Sequence, residues 1–420
     1  MPELDADLPD EEASEDGVAE ENEQLDAEAS SVEFAAEDDP EELTQSELDD
    51  FNQAVLWGTD WTVETIIAQM KRGNIEINPQ FQRRDAWSRH SKSSFIESLL
   101  LGLPIPQVVL AERKDQRGSF LILDGKQRLL SIMQFAGLAE NSQSNSFGLS
   151  GLEVRADLRR KKFKHFEERP ELRSDLNALL SHTIRAVVIR NWPSMSFLHV
   201  VFHRLNSGSL KLSAQELRQA LVPGPFTAFA DDFAISSAPI HRLLHRSTAD
   251  PRMRDTELLV RYLSLKYFLP AYTGRMKEFL DESCDQFNRR WAQLRPMVEA
   301  DAATFVSVIE SLETVFPQGV ARKAGSKLFN RSIFDALAYF VTDAGVREAM
   351  IAGPEVARIA YQAVVADPEF QEAVDSDTAG IPHTAARLEM MGMALAGALG
   401  IDLHIPEVAP NEAGQLRFVA

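Results

Sequence analysis

The stretch Phe120 to Phe135, FLILDGKQRLLSIMQF, decides how the rest of the chain is read. Four apolar residues, Phe120 to Leu123, run into Asp124-Gly125. Apolar positions then recur at Leu129, Leu130, Ile132, Met133 and Phe135, so the period changes from strand-like to helix-like. The spacing predicts a strand, a glycine turn and a helix. Such a turn directs the N–H groups of the first helical residues at whatever sits above the strand, and the helix dipole favours negative charge there. Arg128, one turn in, adds a guanidinium suited to a phosphate. The same residues also serve a plain tight connection with a solvated cation, and the local stretch leaves both readings open.

Upstream, Val108 to Leu110 reads as a strand that Asp115 to Gly118 turn back into Phe120 to Leu123, a hairpin. A helix delivers the chain to it. That helix begins at Ser88 or Ser91, carries Phe95, Ile96, Leu99 and Leu100 on one face, and closes at Gly102 before Pro104 and Pro106. Earlier still, Pro79 makes Asn78 to Arg84 a loop after a short strand, Ile75 to Ile77. Gln82 and Arg83 at the end of this loop set an amide beside a guanidinium. The globular pattern starts at Asp60, where Thr62 can cap a helix bearing Val63, Ile66, Ile67 and Met70 that Gly73 ends in the left-handed conformation.

Downstream, residues 139 to 182 read as an insertion with some helix. Its basic run from Arg159 to Lys164, interleaved with Phe163 and Phe166, can touch a nucleic-acid backbone or remain a solvated face. Thr183 to Arg190 is the next strand, and after Pro193 the strand signals stop. Ser213-Ala-Gln-Glu216 is a capping box, and helix-period stripes follow at Asp255 to Tyr267, Phe279 to Phe287, Phe305 to Val315, Ser332 to Val341 and Ala385 to Leu399. His199 with His203, and His241 with His245, stand four apart on predicted helices. A catalytic zinc usually takes a third protein ligand, and neither pair has an adjacent glutamate, so both read as ordinary helix-face histidines.

With 420 residues and 44% hydrophobic content, the chain can bury two cores. It has no apolar run of membrane-spanning length and no leader pattern, and its single cysteine, Cys284, excludes disulfides within the chain and thiolate metal clusters. A cytoplasmic protein is expected. The net charge of −21 sits in residues 1 to 50, which hold 22 Asp and Glu and no Lys or Arg; elsewhere 42 acids face 43 bases. That segment reads as a disordered acidic tail, either a solubilising extension or a competitor of nucleic acid for a basic face. Residues 71 to 130 carry 11 bases against 6 acids, and residues 151 to 190 carry 10 against 6, so the bias is basic around the glycine turn.

Several of these segments, taken in order, resemble a known family. They are Ile77-Asn-Pro-Gln-Phe-Gln-Arg83, Trp87 with Phe95-Ile-Glu-Ser-Leu-Leu100, Pro104-Ile-Pro106 and Asp124-Gly-Lys-Gln-Arg128. Further on, Phe202-His-Arg-Leu-Asn-Ser-Gly208, Leu212-Ser-Ala-Gln-Glu-Leu217, Arg252-Met-Arg-Asp-Thr-Glu257 and Tyr272 to Leu280 extend the match. The chain is similar to the N-terminal domain of GmrSD-type, modification-dependent (type IV) restriction systems, a domain similar in fold to ParB nucleotidases and sulfiredoxin. It departs from the family pattern Asp-Gly-Gln-Gln-Arg by having Lys126 where the first Gln would stand.

The resemblance implies an α/β domain of the ParB and sulfiredoxin type with a small mixed sheet over residues 51 to 193, interrupted by the insertion, then a mostly helical domain over 194 to 420. It implies a nucleoside triphosphate with Mg²⁺, bound and hydrolysed at the glycine turn, coupled to restriction of modified phage DNA. On this expectation Gly125, Lys126, Arg128, Arg83 and Asn206 hold the nucleotide, and Asp124 takes Mg²⁺ or orients the loop. Gln127 or Gln82 positions the attacking water, and Asp124 and Arg128 complete the catalytic set. The HNH-type nuclease motif of such systems is not seen, since Ile381-Pro-His383 and Leu403-His404 are isolated, so a nuclease subunit is an expected partner alongside DNA. Two other readings remain open: a DNA-binding module with a non-hydrolytic nucleotide switch, and a ParB-like nuclease acting alone.

Overall fold

The computed structural model describes residues 54–75, 87–138, 146–194, 197–198, 201, 213–323, 328–375, 378–411 and 414–419. The acidic tail, the loop carrying Gln82 and Arg83, and His199, His203 and Asn206 lie outside the described residues.

The N-terminal part runs β1 (Val55–Thr62), α1 (Val63–Lys71), α2 (Arg89–Leu100), β2 (Val108–Glu112), β3 (Phe120–Asp124), α3 (Lys126–Phe135), α4 (Phe163–Glu168), α5 (Arg173–Ser181) and β4 (Thr183–Arg190). Local chemistry sets the boundaries. Thr62 Oγ1 accepts from the Thr65 N–H to cap α1, Gly73 follows at φ +70°, and Ser88 caps α2 through the Ser91 N–H. The four strands form one mixed sheet in the order β1-β4-β2-β3. β2 and β3 are the expected antiparallel hairpin, β4 lies parallel to β2, and β1 lies antiparallel to β4.

Alternation along the strands buries both faces of this sheet. Val108, Leu110, Phe120, Ile122, Ile184, Ala186 and Val188 pack with α1, α2 and α3 on one side. On the other side Val109, Ala111, Leu121, Leu123 and Ile189 pack with Trp192, Phe197, Leu198 and Leu217. Leu217 belongs to α6 (Ala214–Leu221), so the first helix after β4 covers the sheet's second face.

Then come α7 (Pro225–Ser236), α8 (Ala238–Leu243), α9 (Arg254–Phe268), α10 (Met276–Arg289), α11 (Trp291–Val315), α12 (Arg331–Val341), α13 (Ala344–Ala352), α14 (Pro354–Ala366), α15 (Pro368–Asp375) and α16 (Ile381–Leu399). They share one core, in which Cys284 is fully buried. Burial in this apolar setting pushes the Cys284 thiol up to about 12. Among the described residues no helix is long and apolar enough to cross a membrane.

The fold corrects the sequence reading in two places. β1 begins five residues before Asp60, where the pattern was expected to begin. It is an edge strand exposed over most of its length, with Leu56 at 67%, so it lacks the apolar alternation that marks a half-buried strand. Its register rests on β4 instead: Asp60 pairs with Arg185 at 3.1 Å, and the Arg190 guanidinium lies 4.3 Å over the Trp57 ring. Strands also return after Pro193, as a short hairpin of β5 (Val408–Pro410) and β6 (Leu416–Phe418) whose Phe418 packs against Tyr272.

Candidate site at the glycine turn

β3 ends at Asp124 and α3 begins at Lys126, as the change of period predicts. Gly125 between them has φ +89°, and a Cβ there would lie 2.6 Å from Val108 Cγ1. Both the conformation and the contact require glycine. A register shift in the β2 and β3 pairing at Val109/Leu110 brings Asp124 opposite Val109 just before the turn. Gly125 offers no side chain to cap α3, which leaves the helix's first turn to other partners.

Asp124 and Arg128 meet across the turn. Asp124 Oδ1 accepts from the Gly125 N–H at 2.6 Å, and Oδ2 accepts from Arg128 Nη2 at 3.0 Å. The same Nη2 donates to the Gln107 carbonyl at 3.1 Å. Arg128 Nε is buried and has no acceptor among the described residues. The guanidinium is therefore held at the turn through Nη2, with its side chain 14% exposed beside an Asp124 carboxylate that is 31% exposed. Gln127 is half-buried in the same helical turn.

Lys126 goes elsewhere. Its Nζ lies 2.7 Å from Glu216 Oε1, and both side chains are buried. The other oxygen of Glu216 accepts from the Ser213 N–H at 2.8 Å, while Ser213 Oγ accepts from the Glu216 N–H and donates to the Arg252 carbonyl. Sequence reasoning recognised Ser213 and Glu216 as a capping box but not as the lysine's counter-charge. A pairing across 90 residues leaves no local signal. Of the three cations that the sequence offered to a phosphate, the two described, Lys126 and Arg128, are thus each paired with a carboxylate, and the anion-binding capacity of the turn itself rests on Arg128, the helix terminus and whatever Asp124 gives up. Gln82, Arg83 and Asn206 fall outside the described residues.

A metal at this turn would rely on Asp124. Among the described residues no group of three or more His, Cys, Asp and Glu side chains could hold a metal ion. Mg²⁺ with a nucleotide takes most of its ligands from phosphates and water, so one accessible carboxylate is compatible with it. Of the two histidine pairs, the described one, His241 and His245, supplies no alternative. His241 Nε2 donates to the Ala234 carbonyl at 3.0 Å, and His245 lies beyond the end of α8 at φ +50° with its Nε2 accepting from Arg322 at 3.1 Å. A cavity of about 470 Å³ opens elsewhere, between α9, α12 and residues 401 to 404, and contains none of the expected site residues.

A second buried carboxylate was also invisible as a functional element. Glu97, on the motif Phe95-Ile-Glu-Ser-Leu-Leu100, accepts from the backbone N–H groups of Glu153, Val154 and Arg155 at 3.1, 2.9 and 2.7 Å. Burial by itself raises the Glu97 pKa, but these three bonds and the Arg155 charge outweigh it and hold the carboxyl below the usual range. α2 thereby grips the insertion, helped by Ser93 Oγ, which accepts from the Ser150 N–H. Phe163 and Phe166, read as possible interleaved contacts for nucleic acid, pack edge-on against Phe135 instead.

Residues 63–223 match the family described as GmrSD restriction endonuclease, N-terminal domain. No curated protein and no solved structure matches the chain.

Proposed function

From the premise that residues 63–223 are a GmrSD-type N-terminal domain, we propose that the chain is the nucleotide-hydrolysing subunit of a restriction system that acts on modified phage DNA. The observation that carries this reading is the Asp124 and Arg128 pair laid across a left-handed Gly125 at the N-terminus of α3. In the proposed mechanism a triphosphate draws the Arg128 guanidinium away from Asp124 and accepts from it, because a phosphate carries more charge than a single carboxylate. The freed Asp124 carboxylate then faces the phosphates. Bound there with the nucleotide, Mg²⁺ would neutralise charge on the phosphate oxygens. Asp124 or Gln127 orients a water for attack on the terminal phosphorus, which releases orthophosphate from the diphosphate. Lys126 stays with Glu216 and positions the helix. DNA cleavage belongs to a nuclease partner.

Arg128→Ala tests the site. Loss of a charge-assisted hydrogen bond of roughly 1.5–3 kcal/mol lowers nucleotide affinity at least about tenfold. Phosphate release with each of the four nucleoside triphosphates, with and without modified phage DNA, should fall in parallel. Unchanged affinity in a folded variant would remove the glycine turn as the site. A wild-type protein that binds nucleotide but releases no phosphate with DNA present would favour a non-hydrolytic switch.

A further inference from the structure

We propose that Arg159, Arg160, Lys161 and Lys162 form a contact surface for the sugar–phosphate backbone of duplex nucleic acid, an inference that rests on the restriction reading above. Arg159, Arg160 and Lys162 are exposed and Lys161 partly so. Among the described residues none of the four has a carboxylate within ion-pair reach, and three acids of the same segment are engaged by other cations. Asp157 and Asp175 both bind Arg155, at 2.8 and 2.6 Å, and Glu168 pairs with Lys164 at 3.4 Å. Four adjacent like charges without counter-charge repel one another, and a polyanion relieves that repulsion.

The backbone beneath them is fixed. The Arg160 N–H donates to the Leu149 carbonyl at 2.8 Å, and the Leu149 N–H donates to the Lys161 carbonyl at 3.1 Å. Arg160 adopts φ +60°, uncommon for a residue with a side chain, and a Cβ on Gly148 would come within 3.1 Å of the Arg160 carbonyl. Leu158 is fully buried just before the run, and Phe163 and Phe166 are anchored on Phe135 just after it. The cations stand on a ledge that needs little ordering when a partner arrives.

The partner's chemistry follows from what the ledge lacks. Phe163 and Phe166 both pack on Phe135, so among the described residues of the run neither ring stands free as a platform on which single-stranded bases would stack. Three Cα steps span at most about 11 Å, a length over which a duplex presents roughly six phosphate charges at one per ~1.7 Å. The contact is electrostatic and independent of sequence.

The test uses the full chain and an unmodified synthetic duplex, with affinity measured across salt. The variant Arg159→Gln, Arg160→Asn, Lys161→Gln, Lys162→Gln removes the charge, and Asn tolerates the left-handed position. Its plot of log affinity against log salt should be shallower by about 3 to 4 units, near 0.9 per lost phosphate contact, with binding at low salt weaker by at least about tenfold. The charge-preserving variant Arg159→Lys, Arg160→Lys, Lys161→Arg, Lys162→Arg should retain the wild-type slope. A folded charge-removed variant with the wild-type slope overturns this surface while leaving the nucleotide site to its own test at Arg128. A wild-type chain that binds no duplex overturns the surface and the DNA part of the restriction reading together.

Discussion

Lys126→Ala is expected to destabilise the protein by about 3–5 kcal/mol, because it leaves Glu216 buried without its cation. Urea or thermal unfolding measures this directly, and a loss below about 1 kcal/mol would show that the pair is worth little. Lys126→Gln should cost less. A glutamine amide still donates to Glu216, so the carboxylate keeps a hydrogen bond and loses only its counter-charge. In this chain the position serves as a donor aimed at α6, a role that either side chain can fill. The structure joins Lys126 to Glu216 and so links α3 to α6.

Glu97→Ala should cost about 3 kcal/mol or more, since it strips an ionised acceptor from three backbone N–H groups at once. The same carboxylate makes stability depend on pH. A folded pKa below the unfolded value of about 4.3 means that its contribution is present in full above that pH and is lost as pH falls through the folded value. Acid unfolding of the wild type should therefore be steeper than that of Glu97→Gln, whose side chain cannot take up a proton in this range. Identical acid profiles would show that ionisation of Glu97 does not set the pH dependence of stability.

Much of the α/β part could be read in advance because its signals are local. The switch of period at Gly125, the caps at Thr62 and Ser88, the β2 and β3 hairpin and the span of β4 each depend on residues close together in sequence. β1 escaped because an exposed edge strand gets its geometry from its neighbour rather than from its own alternation. Helices α7 and α13 to α15 carried no stripe that stood out, and α7 and α14 start at a proline after glycine, a signal easily taken for a loop. At the candidate site the identities of Asp124, Gly125 and Arg128 were legible, but their bonding was not. Which carboxylate neutralises which cation is decided by packing between segments far apart in the chain, and this is why Lys126 and Glu216 were read separately.

The lone thiol of the chain, deep among α10's neighbours, gives the molecule a built-in clock. A maleimide or disulfide reagent needs a thiolate that it can reach, and Cys284 in the folded state is neither ionised at neutral pH nor exposed. Labelling should therefore proceed only as fast as the helical core opens, and its rate in increasing denaturant reports the opening of that core alone. Because the sheet with its glycine turn carries no cysteine, a comparison with tryptophan fluorescence of a Trp291→Phe variant, whose remaining Trp57, Trp61, Trp87 and Trp192 all belong to the sheet's half, would reveal whether the two halves open together or one at a time.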